Sequence, residues 1–176
     1  MDEPEGNYSE RMVEAIRSKK TSRSIFARGK PEVTFRKKMA SFAVQSRCDW
    51  FDDFLDDQRR PLIVDLKSID QRGESDRQFL KFNYYYNAAY YQLVVNSALT
   101  LEDVYPRYLF VVSEKEEPFD VAFREPDEIS LEVGRQEVMR DLGKLKTCYD
   151  QNLWPAAPDE IRPVSLPDWK IANLIL

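Results

Sequence analysis

The stretch "RPLIVDLKSID", residues 60–70, decides the fold. Its apolar run at residues 62–64 is typical of a strand in the middle of a sheet, covered on both faces. Asp65 and Lys67 follow this run. Because side chains alternate along a strand, Asp65 and Lys67 point to one face, and we expect Leu66 to point into the core on the opposite face. The sequence therefore predicts a central strand, ending near residue 66, that places an acid and an amine in one site.

The sequence around this strand predicts an α/β domain with a mixed central β-sheet flanked by helices. Alternation and β-branched or aromatic residues predict further strands, and apolar residues at steps of three and four predict helices. The strands are expected at 32–37, 40–50, 105–116 and 119–125, and the helices from Ser9, at 74–96 and at 126–150. We expect residues 1–176 to form one domain: a helix and basic segment at 1–30, a core at 31–150 and an apolar, proline-rich tail at 151–176 that docks on the body.

The composition narrows the classes of function. With 43% hydrophobic and 32% charged residues, the chain is predicted to be globular. It has no apolar run of about 20 residues and its first residues are acidic, so we expect a cytoplasmic protein without a membrane partner. The complete absence of histidine excludes Ser-His-Asp and Cys-His nucleophile systems and histidine-ligated metal sites. The net charge of −5 argues against a generally basic surface, while a local basic patch remains open.

The residues near Asp65 suggest a site for a hard metal ion. Asp49 lies at the end of the preceding predicted strand, so its carboxylate is expected at the same sheet edge as Asp65. Together with the main-chain carbonyl of Leu66, the two carboxylates offer the oxygen ligands that Mg²⁺ or Mn²⁺ prefers. Lys67 would orient or deprotonate a water molecule, or neutralise developing charge. The alternative interpretation is a purely structural ion pair.

The helix predicted after this strand contains "NYYYNAAYY", residues 83–91. Asn87 and Tyr91 are four residues apart and share one helical face, where an amide and a phenol could hold a phosphate or a metal-bound water. Packing in the core is the alternative for this pair, and it is the preferred interpretation for Tyr86 and Tyr90.

Taken together, these motifs resemble the PD-(D/E)xK nuclease superfamily, and within it the RecE-type exonucleases (exodeoxyribonuclease VIII) and related phage PDDEXK-like proteins. "SRCD" at 46–49 is similar to the Arg-x-Asp motif of this family, and "IVDLK" at 63–67 is similar to its acid-x-lysine strand. "NAAYY" at 87–91 stands where the family has Gln-x-x-x-Tyr. The order of elements after residue 108 also follows the family, so the resemblance covers about residues 30–170.

The resemblance implies a restriction-endonuclease-like core and an Mg²⁺- or Mn²⁺-dependent exonuclease. Such an enzyme would degrade linear double-stranded DNA from its ends, 5′ to 3′, in phage-type recombination. It would leave single strands for an annealing protein, and it could form a homo-oligomeric ring. Carried over to this sequence, the metal ligands would be Asp49, Asp65 and the carbonyl of Leu66. Lys67 would act on the attacking water, and the positioning residues would be Asn87, Tyr91 and Arg47.

Two further hypotheses on function stay open beside the exonuclease. The family has an additional N-terminal helical region that supplies a histidine or a glutamate to the metal, so we expect this chain to be a shortened member. Glu10 or Glu14 could substitute, and the sequence selects neither. The runner-up function is a catalytically incomplete nuclease-fold fragment or a subunit that binds DNA or a partner. A third hypothesis is a small-molecule enzyme or a structural domain with an ion pair on a strand.

Overall fold

The computed structural model describes residues 5–53, 60–70, 75–101, 104–157, 159–166 and 168. Helices and strands follow one another in a mixed order, with the helices placed before, within and after the sheet-forming segments. They are α1 (Glu5–Ser18), α2 (Lys20–Ile25), β1 (Lys30–Met39), β2 (Phe42–Asp52), β3 (Leu62–Ile69), α3 (Ser75–Lys81), α4 (Tyr84–Leu99), β4 (Arg107–Glu114), β5 (Val121–Arg124) and α5 (Glu128–Gln151).

The strands form one five-stranded sheet in the order β1-β2-β3-β4-β5. β3 pairs parallel with β4, with Asp65 opposite Phe110, and the other neighbouring strands are antiparallel. The sheet is therefore mixed and β3 is its central strand, as the apolar run predicted. The prediction of an α/β domain with a helix-flanked sheet is confirmed.

Helices cover both faces of the sheet. On one face, Ile63, Tyr108 and Phe110 form a core with residues of α4 and with Leu131 of α5. On the other face, residues of α1 and α2 pack against a second core. This second core consists of Val64, Leu109, Val111 and Val121. The alternation of β3 thus places Asp65 and Lys67 on the α4 side of the sheet.

The prediction of one continuous helix at 74–96 is wrong, because the structure has two helices there. α3 ends at Lys81 and α4 begins at Tyr84, because Asn83 between them has a left-handed backbone with φ of 52°. An α-helix cannot continue through that conformation, and asparagine is one of the few side chains that tolerate it. The break turns the chain so that the aromatic residues of α3 face those of α4, with the rings of Phe79 and Tyr84 6.5 Å apart.

The predictions for the end of β3 need correction. The strand continues to Ile69 rather than ending near residue 66, and the Leu66 side chain is 44% exposed instead of buried. On that face the side chains of α1 and α2 pack against Val64. The strand runs on beyond this cover, so Leu66 faces solvent.

The segment after α5 was expected to dock on the body of the domain. In its described part, residues 152–157, 159–166 and 168, every side chain is exposed. Leu153 is 64% exposed, and Ile161 and Val164 are fully exposed. The described part therefore does not dock. Pro155 and Pro163 lack the backbone N–H that a sheet or helix would need, which favours an extended chain.

The helices in the described part of the chain include none long and apolar enough to cross a membrane.

Candidate active site

Asp65 is the buried centre of the candidate site. It is only 8% exposed, and both of its carboxylate oxygens have partners. The Lys67 ammonium donates to Oδ1, and the Tyr108 hydroxyl donates to Oδ2 at 2.8 Å. Burial of a carboxylate is costly unless it is paired and hydrogen-bonded. These two contacts satisfy the group and fix its orientation on the sheet.

Asp49 lies beside Asp65 across the junction of β2 and β3. The described pairing of the two antiparallel strands begins at Trp50 and Val64. Beyond this pair the strands separate like a fork, and the next residue on each strand is an aspartate, Asp49 on β2 and Asp65 on β3. Asp49 Oδ2 accepts a hydrogen bond from the Leu66 backbone N–H at 2.7 Å. The carboxylate therefore spans the fork where β2 separates from β3, close to the Asp65 carboxylate.

The electrostatics of the site follow from burial and from the two neighbouring acids. Burial raises the pKa of Asp65 above its ordinary value, the Lys67 charge and hydrogen bonds from Lys67 and Tyr108 oppose this rise, and Asp49 adds to it. The pKa of Tyr108 is raised well above its ordinary value, first by burial and then by Asp65. Burial also raises the pKa of Cys48 to about 12, so this buried thiol is not a nucleophile at neutral pH.

Lys67 connects the buried acid to an open pocket. Its ammonium lies 5.4 Å from the centre of the Tyr84 ring, within the range of a cation–π contact. Beyond it is a cavity of about 320 Å³ whose lining includes Phe79, Tyr84 and Phe110. The Lys67 side chain is 26% exposed against 11% for Asp65. The amine is thus the part of the pair that an incoming molecule reaches first.

The predicted positioning residues fall into two groups. The half-buried Tyr91 packs against the core on the Asp65 side, and its pKa is raised by burial and then by the charge of Asp65. Asn87 is exposed one turn earlier on α4, the helix that covers this side of the sheet. Arg47 is exposed, and its guanidinium contacts Glu32 at 2.9 Å. Within the described residues no contact joins Arg47 to either aspartate.

Glu10 and Glu14 are placed by the structure on α1. This helix packs through Ala15 and Ile16 against the core on the other side of the sheet. The two glutamates are exposed and are separated from the Asp65 side by the sheet itself. The suggestion that either replaces a third acidic ligand within this chain is therefore wrong in this structure.

Two residues of the site were missed by the sequence interpretation. Tyr108 donates to Asp65, and Tyr84 lies under the Lys67 ammonium. Tyr108 carried a usable signal: it is a tyrosine that opens an aliphatic strand predicted to neighbour β3. Its hydroxyl requires a partner when buried. Tyr84 carried none, because its position depends on the break at Asn83.

The donor atoms suit a divalent cation of the hard type. Two adjacent carboxylates and a main-chain carbonyl are the oxygen ligands of Mg²⁺ and Mn²⁺. The charge of Asp49 raises the pKa of Asp65, a repulsion that a bound cation would remove. In the described part of the chain, no group of three or more acidic, histidine or cysteine side chains is clustered for metal binding. The site therefore offers two carboxylates, and water or substrate oxygens would complete the coordination.

The mixed sheet, its two helical layers and the acid-x-lysine pair on the central strand define an α/β domain of the restriction-endonuclease-like, PD-(D/E)xK class. The family model described as "PDDEXK-like domain of unknown function (DUF3799)" matches residues 4–165, and the chain belongs to that family. No curated protein matches the sequence.

Similar solved structures include the following two. A candidate exonuclease from Eubacterium rectale matches with a TM-score of 0.69 and 11% identity, covering 94% of this chain and 64% of its own. The present chain thus spans less than two thirds of that protein. SSO0001 matches with a TM-score of 0.41 and 11% identity, covering 80% of this chain and 68% of its own. At these identities the first match shows the shared fold, and the second carries no argument.

Replacing Tyr108 by phenylalanine is expected to destabilise the protein. The change removes the hydroxyl that donates to Asp65 Oδ2 and leaves part of a buried carboxylate unsatisfied, which costs about 1–3 kcal/mol. Urea denaturation followed by circular dichroism measures the loss. Tyr149→Phe is the matched control, since Tyr149 is 67% exposed. Equal midpoints for the two variants would contradict the assigned contact.

Proposed function

We propose that this protein is a metal-dependent nuclease that degrades linear double-stranded DNA from its ends, 5′ to 3′, in phage-type recombination in the cytoplasm. The observation that carries the proposal is the arrangement of Asp65 and Lys67 on the central strand, with the Asp49 carboxylate beside them. An acid and an amine held together at a buried position, next to a second acid and an open pocket, is what phosphodiester hydrolysis without histidine requires.

Each residue has a defined task in this proposal. Asp49 and Asp65, with the Leu66 carbonyl, would hold Mg²⁺ or Mn²⁺. A divalent ion supplies charge stabilisation at the phosphate and lowers the pKa of a bound water. Tyr108 fixes the orientation of Asp65 through its hydrogen bond. Lys67, at the mouth of the pocket, would orient the attacking water or offset charge on the phosphate. Asn87 and Tyr91 border this side of the sheet and would help to position the substrate.

The family supports the coarse part of the proposal. The domain belongs to a PDDEXK-like family, and nucleases of the PD-(D/E)xK type generally use divalent metals. The similar structure from Eubacterium rectale carries the description of an exonuclease candidate. Double-stranded ends as substrate, the 5′ to 3′ direction, recruitment of a single-strand annealing protein and assembly into a ring are the finer parts of the proposal.

A catalytically incomplete subunit that binds DNA or a partner is the second candidate function. The observation that favours it is that the carboxylates of the site already have hydrogen-bond partners within the protein. Both oxygens of Asp65 have protein partners, and Asp49 Oδ2 accepts from the Leu66 backbone. The cluster can therefore keep its charges without a metal, so their presence alone does not require catalysis.

Digestion of linear and covalently closed circular DNA of the same sequence separates the alternatives. The linear duplex carries a label at its 5′ or 3′ end, and each reaction is run with Mg²⁺, with Mn²⁺ and with EDTA. The proposal expects early release of the 5′ label, late release of the 3′ label and an intact circle. Cutting of the circle would overturn the exonuclease part, and early release of the 3′ label would overturn the direction.

A further inference from the structure

The β1–β2 hairpin concentrates positive charge in an acidic protein. Residues 33–47, here called the hairpin arm, contain four cationic side chains and no Asp or Glu. These cations are Arg36, Lys37, Lys38 and Arg47. The whole chain has a net charge of −5, so the remainder carries −9. Such a separation of charge indicates a surface for a polyanion rather than an ordinary solvated strand pair.

The hairpin arm extends away from the rest of the sheet. β1 and β2 remain paired up to Met39 and Phe42, whereas the described pairing of β2 with β3 is confined to residues 50–52. From Arg47 to Phe42 is five residues, so at ~3.3 Å per residue the arm is on the order of 17 Å long. The turn is tight, because Ala40 and Ser41 both have positive φ angles, 46° and 77°.

One face of the hairpin arm is anchored and the other is open. The buried side chains Val44, Ser46 and Cys48 alternate along β2. The Tyr90 hydroxyl on α4 donates to the Gln45 backbone carbonyl at 3.0 Å, which fixes the arm on that helix. Alternation in the paired strands places Arg36, Lys38 and Arg47 on the face opposite the buried side chains.

The cations at the end of the arm are poorly neutralised. Arg36 donates to the neutral side chain of Gln45 at 3.2 Å. Among the residues the structure describes, no carboxylate pairs with Arg36, Lys37 or Lys38. On α5, by contrast, basic side chains pair with acids of the same helix. Uncompensated cations are the ones that release counterions when they meet phosphates.

We propose that the hairpin arm binds the phosphate backbone of double-stranded DNA. Cys48 on the buried face of the arm belongs to the core on the Asp65 side of the sheet. Arg36, Lys38 and Arg47 therefore lie on the opposite side of the sheet from Asp65, and the arm contacts the duplex outside the candidate active site. Duplex DNA carries one negative charge per about 1.7 Å of its axis. A contact along about 17 Å passes on the order of 10 phosphates of the two strands, so a few cations suffice for several contacts. This proposal rests on the proposed function in taking DNA as the partner.

The test compares two triple variants that change the net charge equally. Arg36→Gln, Lys37→Gln and Lys38→Gln alter the hairpin arm. Arg140→Gln, Lys144→Gln and Lys146→Gln on the exposed part of α5 are the matched control. Binding of a fluorescent 30-base-pair duplex is measured by anisotropy at 50–200 mM salt, with EDTA present to prevent cleavage.

The arm variant is expected to bind at least about tenfold more weakly at low salt. Its plot of log affinity against log salt is expected to be shallower by about 2 to 3, since each phosphate contact contributes about 0.9 to the slope. The α5 variant is expected to keep the wild-type slope. Equal slopes for wild type and the arm variant, or no duplex binding by the wild type, would overturn the proposal.

Binding in EDTA does not depend on hydrolysis, so this test is separable from the proposed function. If the wild type binds DNA through the arm but cleaves nothing with either metal, the nuclease proposal is rejected and the proposed role of the arm is supported. If the wild type cleaves DNA and the arm variant keeps the wild-type salt slope, the proposed role of the arm is rejected and the nuclease proposal is supported.

Discussion

Lys67→Ala is expected to lower the rate of DNA cleavage by about 10²-fold or more, the scale of losing one positioned proton donor or charge. Lys67 is the member of the buried pair that reaches the pocket, and no histidine exists in the chain to replace it. Asp65→Asn is expected to lose at least as much activity, because it removes a carboxylate from the proposed metal site. Initial rates of nucleotide release from a linear duplex measure both losses.

Lys115→Ala is the matched control for the lysine variant. Lys115 also pairs with an aspartate, Asp70, at 2.8 Å, but the two side chains are 51% and 73% exposed. Exposed pairs of this kind contribute little to stability. Because Lys67→Ala leaves a buried acid without its cation, urea denaturation must establish that the variant is folded at the assay temperature. Wild-type cleavage by folded Lys67→Ala protein would contradict a catalytic role for this residue.

Gly134→Val is expected to destabilise the protein by about 3 kcal/mol, the upper part of the range for overpacking a well-packed contact. Gly134 lies where α5 crosses α4. A Cβ atom at this position would come within 2.8 Å of both the Ala89 side chain and the Tyr85 backbone carbonyl. Neither neighbour can rotate away, so the two helices must separate. α4 also presents Tyr84, Asn87 and Tyr91, so cleavage should fall along with stability.

Gly143→Ala on the same helix is the control for the Gly134 substitution. Nothing lies within 4 Å of a Cβ atom at Gly143, and alanine is a better helix former than glycine. This variant is expected to be more stable by about 0.5–1 kcal/mol. Urea midpoints for both variants measure the effects. A Gly134 variant as stable as the wild type would show that α4 and α5 do not pack as closely as described.

The central strand and the sheet were predictable because their signals are local. An apolar run with an acid and an amine two residues apart predicts a buried strand with one polar site, and alternation predicts β1 and β2. The break at Asn83 was not predictable, since apolar residues at steps of three and four continue across it. The exposure of Leu66 was missed for a related reason, because it depends on how far α1 and α2 reach over the sheet.

The candidate site was predictable where it depends on strand pairing and not where it depends on helix placement. The pairing of β2 with β3 brings Asp49 to Asp65, as the spacing along the chain implied. Tyr108 lies beside Asp65 because of the parallel register of β3 and β4. A single sequence does not reveal that register. Glu10 and Glu14 were plausible ligands by residue type, and the packing of α1 on the opposite face removes them.

The most direct test of the central claim is the release of acid-soluble nucleotides from linear duplex DNA by folded wild-type protein in Mn²⁺, with EDTA added to half of each sample. A site formed by Asp49, Asp65 and Lys67 predicts release that stops with EDTA and is lost in Asp65→Asn. No release in Mg²⁺ or Mn²⁺ by a folded protein that still binds the duplex would contradict a working active site and leave a DNA-binding subunit.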